Sequence, residues 1–352
     1  MRKYLFYISI ILLSCQDEIT LDLPQADDKI VVQATIEEGY PPYVILTTNQ
    51  GYFDPINSAT FSEIFVKDGD LESIKVFYKD DSGLIVDSKD LERLPTELTE
   101  AITGEPFPIY TVVDDIGVFS DPTTNNNYNF SKAGRTYYLE IVWKNQLITS
   151  ETKIPNPTPL DCLWVEQSET AEKDFKCDIR AVYSDPANQK NNILIKSKRL
   201  EHYERDKEDT TSCLVEDNED PILKLVDAGS DILINGQSFE TYFPRPKERG
   251  FPNGSYNSYH TEVCDEDTIE FKKDIVLIKF CQIDEPSMKF WRGLVRQAGT
   301  NGNPFAEPSN LPSNINGGLG VFTGYGAVYY KIPIVKDTTI FNTINPEIKD
   351  IF

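Results

Sequence analysis

Histidine is nearly absent: the 352-residue chain has two, His202 and His260. Neither belongs to an H-E-x-x-H pair, and no G-x-S-x-G elbow is present. Zinc-protease and Ser-His-Asp chemistry therefore have no support in the sequence. Methionine (2) and tryptophan (3) are also scarce. Positive charge is short, with 34 Lys and Arg against 57 Asp and Glu, a formal net charge of -23. A chain this acidic repels phosphates, which argues against nucleic acid as a partner. No C-x-x-C pair occurs, so zinc ribbons and thioredoxin-like sites are excluded. No apolar run approaches the roughly 18 residues of a membrane-spanning helix. Tyr (18) and Phe (19), by contrast, are abundant and favour strands.

The N-terminus reads as an address. Arg2 and Lys3 are followed by an apolar run from Tyr4 to Leu13, then by Leu12-Leu13-Ser14-Cys15. The run is too short to span a bilayer and fits a secretory signal. Its end resembles a bacterial lipobox, in which the Cys thiol is diacylglycerylated and the preceding peptide removed. The expectation is a signal peptide over 1–14, a lipidation site at Cys15 and a lipidated tether over 15–28. Removing those 14 residues, Arg2 and Lys3 among them, leaves 338 residues with a formal charge of -25. Acyl chains anchor a protein because each buried CH₂ contributes about 0.8 kcal/mol. Gln16, Asp17 and Glu18 follow directly. Such a stretch resembles the export signal that sends Bacteroidota lipoproteins to the outer face of the outer membrane.

The body reads as strands. Ile74, Val76 and Tyr78 alternate on one face, and Asp80-Asp81-Ser82-Gly83 turns the chain toward Leu84-Ile85-Val86. Leu139, Ile141 and Trp143 alternate likewise, with a tight turn at Lys144-Asn145 and a return strand over 146–154. Residues 29–36 and 43–48 are rich in β-branched side chains, joined by a turn at Glu37-Glu38-Gly39. This pattern predicts a mainly β protein that opens with an immunoglobulin-like β-sandwich over 29–156. Pro155, Pro157 and Pro159 cannot continue a sheet ladder and mark a stiff crossing. A second β-rich domain follows over 157–352, with strands expected at 177–183, 192–199, 231–234, 239–243 and 274–283. Trp291, Leu294, Val295 and Ala298 fall on one helical face. With Pro286 before them and Gly299 after, they predict one packed helix near 286–298.

Five cysteines remain besides Cys15. In an extracytoplasmic setting disulfides are permitted. Cys162 and Cys177 are symmetric about a turn at Glu169-Thr170, and Cys264 and Cys281 about Lys272-Lys273, so cross-strand bridges are possible for both pairs. Acidic groups at 68–72, 216–220 and 265–267 could offer oxygens to calcium, but no EF-hand loop is present. No metal or cofactor is expected. Gly317-Gly318-Leu319-Gly320 lacks the spacing of a dinucleotide fingerprint.

One stretch carries a family resemblance. Gly302 to Pro308, then Pro312-Ser313-Asn314-Ile315-Asn316-Gly317-Gly318-Leu319-Gly320-Val321-Phe322, resembles the C-terminal signature of the DUF4249 lipoproteins. Val31-Val32 through Leu46, Gly134 to Leu139 and Tyr183 to Pro186 agree with it. The resemblance brings no catalytic residues, and the chain is read as a non-enzyme. It implies a surface lipoprotein of the outer membrane, partnered with a β-barrel of the TonB-dependent receptor class. A structural subunit of a larger surface assembly or secretion machine is the alternative, and a surface hydrolase a weaker one.

Overall fold

The computed structural model describes residues 28–49, 62–119, 128–167, 177–187, 189–204, 215–232, 234–243, 261–265, 268–272, 275–300, 310–333, 338–340 and 343–352. Cys15, Gln16, Asp17, Glu18, His260 and the stretch 302–308 lie outside the described residues. The first half contains β1 (Ile30–Glu37), β2 (Tyr43–Thr48), β3 (Leu71–Lys79), β4 (Ile85–Asp90), β5 (Glu92–Arg93), helix α1 (Thr96–Thr103), β6 (Ile109–Thr111), β7 (Thr136–Trp143) and β8 (Gln146–Lys153). The second half begins with β9 (Cys162–Gln167), β10 (Cys177–Ser184), β11 (Asn192–Glu204), β12 (Val215–Glu219), β13 (Lys224–Ser230) and β14 (Ser238–Phe243). It continues with β15 (Thr261–Asp265), β16 (Thr268–Lys272), β17 (Ile275–Gln282), helix α2 (Glu285–Thr300), β18 (Ile315–Asn316), β19 (Leu319–Pro333), β20 (Thr338–Ile340) and β21 (Thr343–Ile344).

The protein is mainly β, and one long sheet is its spine. Ten strands run in the order β12-β11-β17-β19-β1-β2-β6-β5, with β13 on β11 and β21 on β19. Two smaller sheets cover one face of it. The sheet β18-β8-β7-β3-β4 covers the β1 end, and β14-β10-β9-β20 covers the β17 end. Alternation explains both cores. Ile30, Val32, Ala34 and Ile36 of β1 point inward and meet Tyr137, Leu139, Ile141 and Trp143 of β7, all at most 2% exposed. At the other end Val276, Ile278 and Phe280 of β17 meet Leu163, Val165, Ile179 and Ala181. Burying one such large side chain contributes roughly 1.5–3 kcal/mol.

The two sandwiches are not separate along the chain. β19 is a 15-residue strand whose first half pairs in parallel with β1 and whose second half, from Gly326 on, pairs antiparallel with β17. β18 adds to β8 through Ile315↔Ser150. The expected division at 156/157 follows the chain, while the C-terminal segment returns to complete the N-terminal sandwich. Pro155 to Leu160 crosses the face of β19 between the two small sheets. Gly324 and Gly326 make that crossing possible, because a Cβ at either would strike the carbonyl oxygen of Lys153 or Pro155. Side chains satisfy the crossing's backbone donors: Thr158 N donates to Gln282 Oε1 at 2.7 Å and Leu160 N to Tyr330 Oη at 2.8 Å.

Turn chemistry forms as its residues dictate. Lys144 and Asn145 take φ of 48° and 59° between β7 and β8. Asp80 caps the β3–β4 turn, accepting from Ser82 N (2.9 Å) and Leu84 N (3.0 Å). Two expectations need correction. Asp231, Ile232 and Ile234 sit in a turn instead of the strand expected at 231–234, because the buried Asp231 carboxylate takes the Asn191 N–H at 2.7 Å and its carbonyl takes the Ile234 N–H. Helix α2 begins at Glu285, one residue early, because Asp284 caps it through Ser287 N at 3.0 Å. Its buried face is Ser287, Met288 and Trp291, with Leu294 and Val295 partly buried and Ala298 exposed.

Candidate functional site: a cleft beside a buried ionic row

The other face of the spine sheet carries charge where a core is expected. Lys196 on β11 lies opposite Lys279 on β17, and Lys279 lies opposite Tyr329 on β19. Glu37, the last residue of β1, completes the row. Lys279 is 0% exposed, and its Nζ bonds Glu37 Oε2 at 2.5 Å. Tyr329 Oη donates to the same oxygen at 3.1 Å. The ammonium also lies over the Tyr325 and Tyr329 rings, at 4.5 and 5.2 Å. Burial, the largest single effect, would lower the Lys279 pKa, but the Glu37 charge and hydrogen bond together with the neighbouring Cys281 and Tyr43 carry the net direction upward.

Lys196 has no such carboxylate. Its Nζ sits 4.7 Å from the Trp291 ring and 5.4 Å from the Tyr325 ring, under α2. Burial, then the neighbouring Lys279 charge, pull its pKa down to about 8. Cys281, two residues beyond Lys279 on the same face, is pushed up to about 12 by burial and stays a thiol. Burial likewise raises Tyr325 and Tyr329 well above the usual range. The row therefore holds one paired cation, one cation close to neutrality and protonated hydroxyl and thiol groups.

Beside this row the sheet has a gap. Pairing of β1 with β19 ends at Glu37↔Tyr325, and β21 begins to pair only at Tyr329↔Ile344. A cleft of about 550 Å³ opens there, within the size range of small-ligand sites. Glu37, Tyr40, Tyr128, Lys132, Tyr329 and Asn345 line it, with Pro157 and Pro159 of the crossing. The Ser131 hydroxyl, which also lines it, is buried with no hydrogen-bond partner. The cleft thus combines aromatic and proline surface with a free hydroxyl, the carboxylates of Glu37 and Glu38 and the ammonium of Lys132.

A second exposed feature is the β3–β4 hairpin. β4 is the outer strand of its sheet. Leu84, Ile85 and Val86 are 68%, 56% and 54% exposed there, three consecutive apolar residues in water.

The expected disulfides do not form as drawn. Cys162 pairs with Val182 and Cys177 with Gln167, so the two cysteines are offset by five residues along the ladder. That is roughly 16 Å at 3.3 Å per residue, against the about 7 Å limit between bridged Cα atoms. The register of β9 on β10 is symmetric about position 172, not about 169–170, which lie outside the described residues. Cys264 lies opposite Ile269 on the β15–β16 ribbon, whereas Cys281 lies between Leu194 and Ala327 in the spine sheet. Cys162 and Cys281 are free thiols. His202 sits on β11 opposite Asp217. The first acidic group is a turn in which Glu72 accepts from Asn145 N at 2.9 Å. Among the described residues no three His, Cys, Asp or Glu side chains converge on a metal-sized point, and no helix is long and apolar enough to cross a membrane.

The sequence profile described as Domain of unknown function (DUF4249) matches residues 16–330. The chain belongs to the DUF4249 family. The match begins at the residue after Cys15 and takes in β1 through most of β19. No curated protein matches this DUF4249 chain. Among solved structures, trypsin-activated alpha-2-macroglobulin from Escherichia coli is similar at 10% identity with a TM-score of 0.19. That similarity covers 78% of this chain but 16% of the macroglobulin, too weak a likeness to argue from. The signature from Pro312 to Phe322 has a structural meaning here. Asn314 bonds Phe322 in both directions, Oδ1 accepting from its N at 2.9 Å and Nδ2 donating to its O at 2.8 Å. Gly320, at φ 104°, lies so close to Val32 that no side chain fits.

The ionic row was hidden in the sequence. Glu37 read as part of a turn, and Lys196 and Lys279 only as members of the strands expected at 192–199 and 274–283. The available signal was a lysine inside the apolar run Ile275-Val276-Leu277-Ile278-Lys279-Phe280-Cys281, where alternation gives it no exposed face.

Proposed function

We propose that this DUF4249 protein is a lipid-anchored, non-catalytic subunit on the outer surface of the outer membrane. It serves as an accessory or binding partner of a β-barrel of the TonB-dependent receptor class. The observation that carries the reading is the order of residues 1–18: positive pair, apolar run, Ser14-Cys15, then an acidic stretch, with the family match starting at Gln16. The cleft of about 550 Å³ supports a binding role, and the exposed Leu84-Ile85-Val86 tip supports a protein partner. Exposed apolar residues on an outer strand suit addition of a partner's strand or loop. The same tip suits a structural subunit of a larger surface assembly, which is the second reading.

Affinity purification from outer membranes in mild detergent tests the proposal. It should recover a TonB-dependent barrel, and replacing Leu84, Ile85 and Val86 by serine should abolish that recovery while leaving the chain folded. Recovery of a lone monomer counts against both readings. Recovery of assembly or secretion components without such a barrel selects the second.

A further inference from the structure

Helix α2 carries a local reversal of charge. A groove of about 460 Å³ runs beside it, lined by Lys190, Lys289, Arg292 and Arg296 together with the apolar Met288 and Ile232. Lys190 and Lys289 grip a single carboxylate, Glu285, at 2.6 and 2.9 Å. Those two bonds hold the Glu285 carboxyl down at about 2. Arg292 and Arg296 are exposed, one turn apart on the helix, and make no ion pair among the described residues. Ile232, 70% exposed, lines the same groove as these cations. In a chain of formal charge -23, four cations around one acid are a departure that invites an anionic surface. An exposed isoleucine sharing a groove with Lys and Arg is the pattern of a membrane interface, where apolar atoms enter below the phosphates.

The position of the groove points the same way. Pro312, on its wall, precedes Ile315 by three residues, and a Cβ on Gly318 would stand 3.0 Å from Ile30 and 3.2 Å from Ile315. Pro312, on the groove's wall, therefore lies no more than roughly 20 Å from the start of β1, where the tether enters the folded body. The fifteen residues from Cys15 to Lys29 can extend about 50 Å, enough to lay this end of the molecule on a bilayer.

We propose that the α2 groove docks on the phosphate headgroups of the membrane that holds the acyl anchor. Arg292 and Arg296 bind the phosphates, and Ile232 enters the interface. This inference rests on the lipid-anchor reading for its setting, but the groove can be tested without the lipid.

The test uses the chain from Gln16 onward, which retains every described residue. It is sedimented with phosphatidylcholine vesicles, with or without phosphatidylglycerol. The expected result is binding to the anionic vesicles, weakened by salt, and a loss of at least about tenfold in the double variant Arg292→Glu/Arg296→Glu. Both residues are exposed, and an unchanged unfolding curve verifies that the variant folds. Lys132→Glu, at the distant cleft, should leave binding unchanged. Equal sedimentation with neutral and anionic vesicles, or a double variant that binds as well as the parent, overturns the proposal. So does binding to polyglutamate without binding to vesicles, which would make an acidic peptide the occupant. Separately, mass spectrometry of Cys15 in membrane-extracted protein reads the anchor. An unmodified Cys15 defeats the anchor reading and leaves the vesicle result to decide the groove.

Discussion

Removing Glu37 leaves the Lys279 ammonium, which has no exposure to water, without its carboxylate. Glu37→Ala should therefore lower the unfolding free energy by about 3–5 kcal/mol in a urea titration. The double variant Glu37→Leu/Lys279→Met should recover most of that loss, since a matched apolar pair replaces a desolvated ionic one. Lys196 makes a pH-dependent prediction. Its pKa is about 8 in the folded chain against 10.5 when solvated, so between those values the unfolded chain holds the extra proton. Stability contributed by this group rises with pH across that window and is absent below it. The full difference is worth roughly 3 kcal/mol. Cys281 works against it above pH 9, because its thiol is deprotonated unfolded but retained folded. The difference between the parent and Lys196→Met isolates the lysine: the variant should be more stable at pH 7 and lose that advantage by pH 10. A constant difference across this range would contradict the neutral-leaning lysine. The apolar run around Lys279 marked a buried lysine, but its partner was not legible in one dimension, because Glu37 and Lys279 are 242 residues apart and meet only through the parallel entry of β19 between their strands.

At the scale of elements, local pattern carried far. β2 spans residues 43–48 as alternation predicts, and β7 and β8 turn at Lys144-Asn145. These elements are specified by neighbours in sequence. The failures are places where a polar side chain claims the backbone. Asp231 converts an apolar run into a turn, and Asp284 starts α2 while also tying it to β8 through Thr152 Oγ1 (2.8 Å) and Lys153 N (3.2 Å). Asp284→Ala should thus cost about 2 kcal/mol or more, beyond an ordinary cap, as both the helix and β8 lose a partner. The prolines were rightly read as a crossing, but its slot at Gly324 and Gly326 required knowing what it crossed. Gly326→Ala should force Pro155 off the sheet and lower the thermal midpoint, whereas Gly299→Ala, with open space around it, should leave the midpoint unchanged or slightly raised.

For the whole molecule, the shared spine sheet sets the cooperativity. Because β18 and β19 complete the N-terminal sandwich, a fragment ending near residue 157 lacks the strands beside β1 and β8. The full chain should unfold in one denaturant transition by fluorescence and circular dichroism, and the fragment 29–156 should not fold alone. Two separate transitions would instead indicate independent sandwiches. The mainly β character and the family were legible from composition, alternation and the C-terminal signature. The shared sheet was not, since parallel pairing between residues about 290 apart leaves no local mark. The -23 charge likewise proved uneven, with a cationic strip on α2 in an otherwise acidic chain. The proposed place of this protein is the outer face of the outer membrane, against a barrel. Cross-linking mass spectrometry on intact cells, with a reagent that does not enter them, tests it most directly. Cross-links should join Lys79, beside the hairpin tip, or Lys132, at the cleft, to extracellular loops of a TonB-dependent barrel. Absence of any cross-linked peptide from intact cells, with links to periplasmic proteins appearing only after lysis, would contradict it.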